Sequence, residues 1–221
     1  MLKVVVFDSG QGGELFADRL EAELPILDVI RVIDWRNADK IQKSPKTARQ
    51  IALKALTPYI GRADLIIFAN YLVSSTSLKY FCRKYKNQKF TGLKLPLPDT
   101  FKNRPTVILA TRALSRTLNY YNYLFRLKRK TSTLCLDAWT AMIDDGELRA
   151  RDISREFEIF YEKYHYFPAE IILTCSHFND IIPELRQTLG RNLKIHDGFE
   201  GAIKDVCKIL KIRGGTGKRK H

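Results

Sequence analysis

The chain is short of cysteine. Its 221 residues hold four, at 82, 135, 175 and 207, in neither a C-x-x-C pair nor a dense framework. That usage points to a reducing compartment and argues against a structural zinc site. Long apolar runs are missing as well. After Met1 the opening run, Val4 to Phe7, is cut off by Asp8, and no stretch approaches the roughly 18 apolar residues of a membrane span. Neither a signal peptide nor a membrane segment is expected, and a cytoplasmic setting is. Acidic residues are also scarce: 24 Asp and Glu stand against 38 Lys and Arg, a formal charge of +14. Such a balance suits a nucleic-acid partner. The basic residues, however, are spread over expected helix faces (Lys79, Arg83, Lys84, Lys86; Arg126, Lys128, Arg129, Lys130) and the tail. No helix-turn-helix, RNA-recognition or zinc-finger pattern accompanies them. Solvated surface charge is the favoured reading and nucleic acid the less favoured one.

Core material is plentiful. With 45% hydrophobic and 11% aromatic residues, wholesale disorder is excluded, and the length suits one large domain or two small ones. Short apolar runs bounded by turn signals recur eight times: LKVVVFD, ILDVIRVID, DLIIFAN, FTGLKLPL, PTVILAT, TSTLCLD, EIILTCS and NLKIHDG. Most are continuously apolar and are separated by segments of helical period, the pattern of parallel strands covered on both faces. Strand centres near 5, 31, 67 and 94 are spaced much like those near 108, 134, 173 and 195, which predicts two similar α/β halves. The Pro-rich stretch 95–105 marks the boundary. The expected division is 1–96 plus 191–212, the latter carrying the C-terminal helix, against 97–190. A disordered basic tail is expected over 213–221, where GGTGKRKH offers almost nothing to bury.

In open parallel sheets ligands gather where strands end and helices begin. Four such loops are rich in small hydrogen-bonding residues: Asp8-Ser9-Gly10-Gln11-Gly12-Gly13, Asn70-Tyr71-Leu72-Val73-Ser74-Ser75-Thr76, Thr111-Arg112-Ala113-Leu114-Ser115 and Thr174-Cys175-Ser176-His177-Phe178. Facing each other, they would line a cleft with N–H groups, hydroxyls, a carboxylate, a thiol and an imidazole, a setting for a small carboxylate. The glycine loop is not G-x-G-x-x-G and lacks a Walker lysine, so nucleotide binding is unsupported; a tight strand-to-helix turn explains its glycines equally well. Cys175, two residues before His177, is the best nucleophile or acid–base candidate, set against a buried structural cysteine. Cys82, Cys135 and Cys207 are expected in the core. His165 and His196 have no metal-like spacing, and no cofactor motif is present.

These strings together resemble the cofactor-independent aspartate/glutamate racemase superfamily, glutamate racemase in particular. VVVFDSGQGG is similar to its D-S-G-x-G-G opening, IIFANYLVSS to its A-C-N-T region, VILATRALSRTLNYY to A-T-x-x-T-x-x-S-x-x-Y and ILTCSHF to G-C-T-H-Y. The resemblance implies two α/β domains related by a pseudo-twofold axis with a cleft between them. It also implies a homodimer as the usual assembly, and proton transfer by two facing thiols without PLP or metal. Carried over, Cys175 matches the second thiol, His177 its neighbour, Asp8 and Ser9 the acidic and hydroxyl residues near the first thiol, and Asn70, Thr111 and Ser176 substrate-holding positions.

The first thiol is absent. Its position, immediately before Asn70, is Ala69; the following threonine is Tyr71, the second threonine of the third string is Leu114, and Ile41-Gln42-Lys43-Ser44-Pro45 replaces a P-Y-G segment. Inversion at carbon needs donors on opposite faces, so the expected protein binds a small carboxylate or amino acid with two-thiol racemisation lost or impaired. The alternatives are a single-thiol decarboxylase or other isomerase using Cys175, and a pseudoenzyme that binds nucleic acid or a protein.

Overall fold

The computed structural model describes residues 1–97, 104–127 and 131–213. They form two compact units, Met1–Lys94 together with the chain from Phe199, and Leu95–Gly198. All eight expected strands are present.

The first unit runs β1 (Leu2–Asp8), α1 (Gln11–Glu23), β2 (Leu27–Ile33), α2 (Ala38–Ile41), α3 (Pro45–Leu56), β3 (Leu65–Phe68), α4 (Tyr71–Lys84) and β4 (Phe90–Gly92). Its sheet has the order β2-β1-β3-β4, all parallel. Central β1 buries Val4 to Phe7 completely, as an unbroken apolar run flanked by strands on both sides must. Phe68 anchors the core, with Phe81 at 5.0 Å and Phe90 stacked at 6.0 Å between ring centroids. The strand expected over FTGLKLPL is only three residues long. Leu93 N–H still donates to Phe68 O at 3.0 Å, and the ladder stops ahead of Pro96, which has no N–H to give. Helix α3 starts where Ser44 accepts the Thr47 N–H at 3.1 Å and Pro45 takes the first helical position, a favoured opening pair.

The second unit runs β5 (Thr106–Ala110), α5 (Arg112–Ser115), α6 (Leu118–Leu127), β6 (Thr131–Cys135), α7 (Asp137–Asp144), α8 (Ala150–Tyr164), β7 (Glu170–Leu173), α9 (Ile182–Leu189) and β8 (Lys194–His196). The order β6-β5-β7-β8 repeats that of the first unit, again all parallel. Its core joins Val107, Leu109, Ile171 and Leu173 of the sheet to Ile153, Phe157 and Phe160 of α8 and Leu185 of α9. The chain then returns to the first unit as α10 (Phe199–Leu210). Phe199 lies edge-on to Phe16 of α1 at 5.1 Å, and Asp205 pairs with Lys94.

Two expectations change. Residues 191–198 do not go with the first half, because β8 pairs with β7 in the register Ile171↔Ile195; only α10 crosses back. Cys82 and Cys135 are exposed and Cys207 half-buried, since each falls on the outward side of its element. The tail beyond Arg213 and residues 98–103 of the Pro-rich stretch lie outside the described residues. No helix among the described residues is long and apolar enough to cross a membrane.

Candidate active site

In the first unit the cluster is built at the carboxyl end of β1. Asp8, wholly buried, accepts the Ser9 N–H at 2.7 Å and the Asn70 side-chain N–H at 2.8 Å, both at Oδ1. Asn70 in turn accepts the Val73 N–H at 3.0 Å and so caps α4. With both ends of its amide engaged, Asn70 has one orientation, and the carboxylate is held with it. Helix α1 approaches closely: a Cβ on Gly13 would collide with the Asp8 Cβ and lie 2.7 Å from Ile33 Cδ1. That close approach is what the glycine permits. Ala69 is fully buried beside Asn70, its N–H donating to Phe7 O at 2.8 Å. Tyr71 opens α4 and is buried.

In the second unit the equivalent ends belong to β5 and β7. Thr111 accepts the Leu114 N–H at 3.4 Å, and the Arg112 N–H donates to Asp137 Oδ1 at 2.9 Å. The Thr174 hydroxyl donates to Leu109 O at 2.8 Å, stitching the two strand ends together. Beyond it Cys175 is 6% exposed and Ser176 and His177 are buried, the last two in a single 3-10 turn, Ser176–Asn179. Cys175 Sγ lies 3.6 Å from His177 Nδ1. On the far side of the ring, Nε2 is 3.1 and 3.2 Å from the two oxygens of Asp144.

The chemistry of this line follows from its ends. A carboxylate can only accept, so His177 donates its Nε2–H to Asp144, and in the neutral ring Nδ1 is left as an acceptor facing the thiol. Cys175 therefore has a base within reach that can take its proton or return one. Nearby, burial pushes the Asp180 carboxyl up, with Glu184 adding to the effect and His177 opposing it.

The structure thus joins Asp8, Ser9 and Asn70 in one hydrogen-bonded cluster, and Cys175 with His177 in another; Thr111 and Ser176 stand at the neighbouring strand ends of the second. Sequence reasoning missed Asp144, which is 33 residues from His177. One signal was available: Asp144 and Asp145 sit at the carboxyl end of α7, where the helix dipole disfavours acids. Residues placed against that gradient need another reason to be there.

No protein-family model matches the chain. Among curated proteins it is 23% identical over 222 residues to glutamate racemase of Bifidobacterium animalis subsp. lactis (strain AD011), covering 96% of this chain and 85% of that one. Among solved structures it is similar to Escherichia coli glutamate racemase in complex with L-glutamate and the activator UDP-MurNAc-ala. That match has a TM-score of 0.85 and 19% identity over 98% of this chain and 86% of that one. Aspartate racemase of Picrophilus torridus gives 0.60 at 16% identity, over 96% and 95%. The chain is thus similar along nearly its whole length to glutamate racemases, and it shares a fold of two parallel-sheet α/β halves with the solved structures of the aspartate/glutamate racemase superfamily.

Proposed function

We propose that the protein binds a small carboxylate or amino acid with these strand-end loops, and that Cys175 is its single acid–base thiol. One contrast carries the reading: a Cys175–His177–Asp144 line is assembled, while the methyl group of Ala69 stands where the superfamily's first cysteine would be. The Escherichia coli neighbour holds L-glutamate, which supports an amino-acid ligand. In this reading the carboxylate of Asp8, held by Ser9 and Asn70, suits an ammonium group, and the hydroxyls of Thr111 and Ser176 with the loop N–H groups of their own unit suit a carboxylate. Cys175 as thiolate removes the α-proton from one face only, and His177 takes up or returns that proton. A methyl group carries no proton, so Ala69 cannot take the part of the first thiol. Two-thiol racemisation is accordingly lost or impaired.

The test is α-hydrogen exchange in deuterated water, followed by NMR for both enantiomers of glutamate and aspartate. Exchange of one enantiomer without inversion, lost in Cys175→Ala, is the expected result. Inversion at an ordinary enzymatic rate of roughly 1 to 1000 per second would refute it.

The same line favours a second reading. Decarboxylation of a substituted malonate breaks a C–C bond and leaves its electron pair on the α-carbon as CO2 departs, so no base is needed. The Cys175 S–H then donates the one proton required, and the thiolate is reprotonated from water through His177. CO2 release that disappears in Cys175→Ala would establish this activity; absence of turnover with a panel of malonates would dismiss it.

A further inference from the structure

The positive charge is not evenly shared. Between Lys40 and Pro98 the sequence has twelve Lys and Arg and one acid, Asp64, so this stretch carries +11 of the chain's +14. Asp64 is itself engaged, accepting the Lys3 N–H at 2.7 Å. The fold packs the two helices of this stretch, α3 and α4, against each other. Between them lies a groove of about 480 Å3 lined by Arg49, Thr76, Lys79, Tyr80, Arg83 and Lys84, with no carboxylate among them.

The cations are arranged as well as numerous. Arg49 donates to Thr76 O at 3.1 Å and lies over the Tyr80 ring at 4.9 Å, which fixes its guanidinium fork in the groove. Lys84 donates to the Tyr80 hydroxyl at 3.3 Å and lies 5.6 Å from the same ring. One aromatic side chain therefore spaces two cations that would otherwise repel. Lys79 and Arg83 are exposed one helical turn apart, about 6 Å along the axis. The row continues past the groove through exposed Lys46, one turn from Arg49, and Lys86, three residues beyond Arg83. None of these cations belongs to the strand-end loops.

From this juxtaposition we propose that the α3–α4 groove is a binding site for the phosphates of a single strand of nucleic acid. A lone phosphate would leave most of the row unused. A membrane surface would call for apolar side chains to insert beside the cations, and the groove's lining has none beyond the Tyr80 ring, already occupied by Arg49 and Lys84. A strand of successive phosphates matches a row of cations that runs on beyond one pocket.

The experiment is fluorescence anisotropy of a labelled oligouridylate of about 20 nucleotides, with the full chain, between about 50 and about 200 mM salt. Four neutralised phosphates give a logarithmic salt slope of about −2.8, an affinity loss of about 50-fold over that range. The variant Lys79→Glu/Arg83→Glu should weaken binding at least about 10-fold at the lower salt and halve the slope. The neutral pair Lys79→Gln/Arg83→Gln should show the same direction with a smaller loss. Arg151→Glu/Lys163→Glu, with the same charge change on exposed α8 positions, should stay within about twofold of the parent. The proposal is overturned by absence of binding at the lower salt, or by equal loss in the α8 pair. It is overturned too by equal or tighter binding of polyglutamate or of phosphatidylserine vesicles, which would identify an acidic protein or a membrane as the partner. Thermal melts that match the parent show that the variants fold.

Discussion

In the proposed reading, Asp144 sets how Cys175 behaves. Its carboxylate fixes which ring nitrogen of His177 bears the proton, so Asp144→Asn, which can offer an amide hydrogen in place of an acceptor, should turn the ring's proton preference around. Exchange catalysed by Cys175 is expected to slow by about 10- to 100-fold, with KM for the exchanging amino acid little changed because Asp144 acts through the histidine. A fall in KM-limited binding alone would show that Asp144 holds the ligand instead. In the first unit's sheet, Gly13→Ala should cost about 1–3 kcal/mol in urea unfolding, since the added methyl meets the wholly buried Asp8 side chain at its Cβ. Cys175, His177, Asp8 and Asn70 were legible in the sequence because each lies in a short string of unusual residues at a strand end. Asp144 was not, because only folding brings the end of α7 to the 3-10 turn. The exposed Cys135 was misread for a related reason: strand membership does not say which way a side chain faces at the sheet's edge strand, and β6 is an edge.

Among the elements, the strands were readable as continuous apolar runs. The partner of the last strand was not. β8 is short, half-polar and followed at once by a helix, so composition alone could attach it to either half; the pairing with β7 is a tertiary fact. Ser44→Ala should remove the cap on α3 and lower stability by about 1 kcal/mol in denaturant unfolding, with Pro45 still holding the first turn in place. The β7–β8 seam has its own pH dependence. Burial holds the His196 imidazole below its usual range, with the Glu170 carboxylate opposing the shift. The unfolded chain therefore binds this proton more readily, and the stability contributed is complete above about pH 6.5 and lost as pH falls below it. Urea midpoints of the parent should drop between about pH 7.5 and about pH 5 by more than those of His196→Gln; parallel curves would show that His196 is not responsible.

For the molecule as a whole, the duplication was visible in strand spacing alone, and the two sheets share one strand order. Charge was harder to place. Read along the chain, the basic residues look scattered; read in space, Arg49 of α3 and Lys79, Arg83 and Lys84 of α4 line one groove. The crossing of α10 has a different consequence. Phe199 meets Phe16 only after 183 further residues have been made. During translation the second half, one uninterrupted stretch, can finish folding as it leaves the ribosome, while the first waits with an aromatic side chain uncovered. A chain stopped before Phe199 would thus carry a completed second half and an unsealed first, a state that quality-control proteases and chaperones are built to notice.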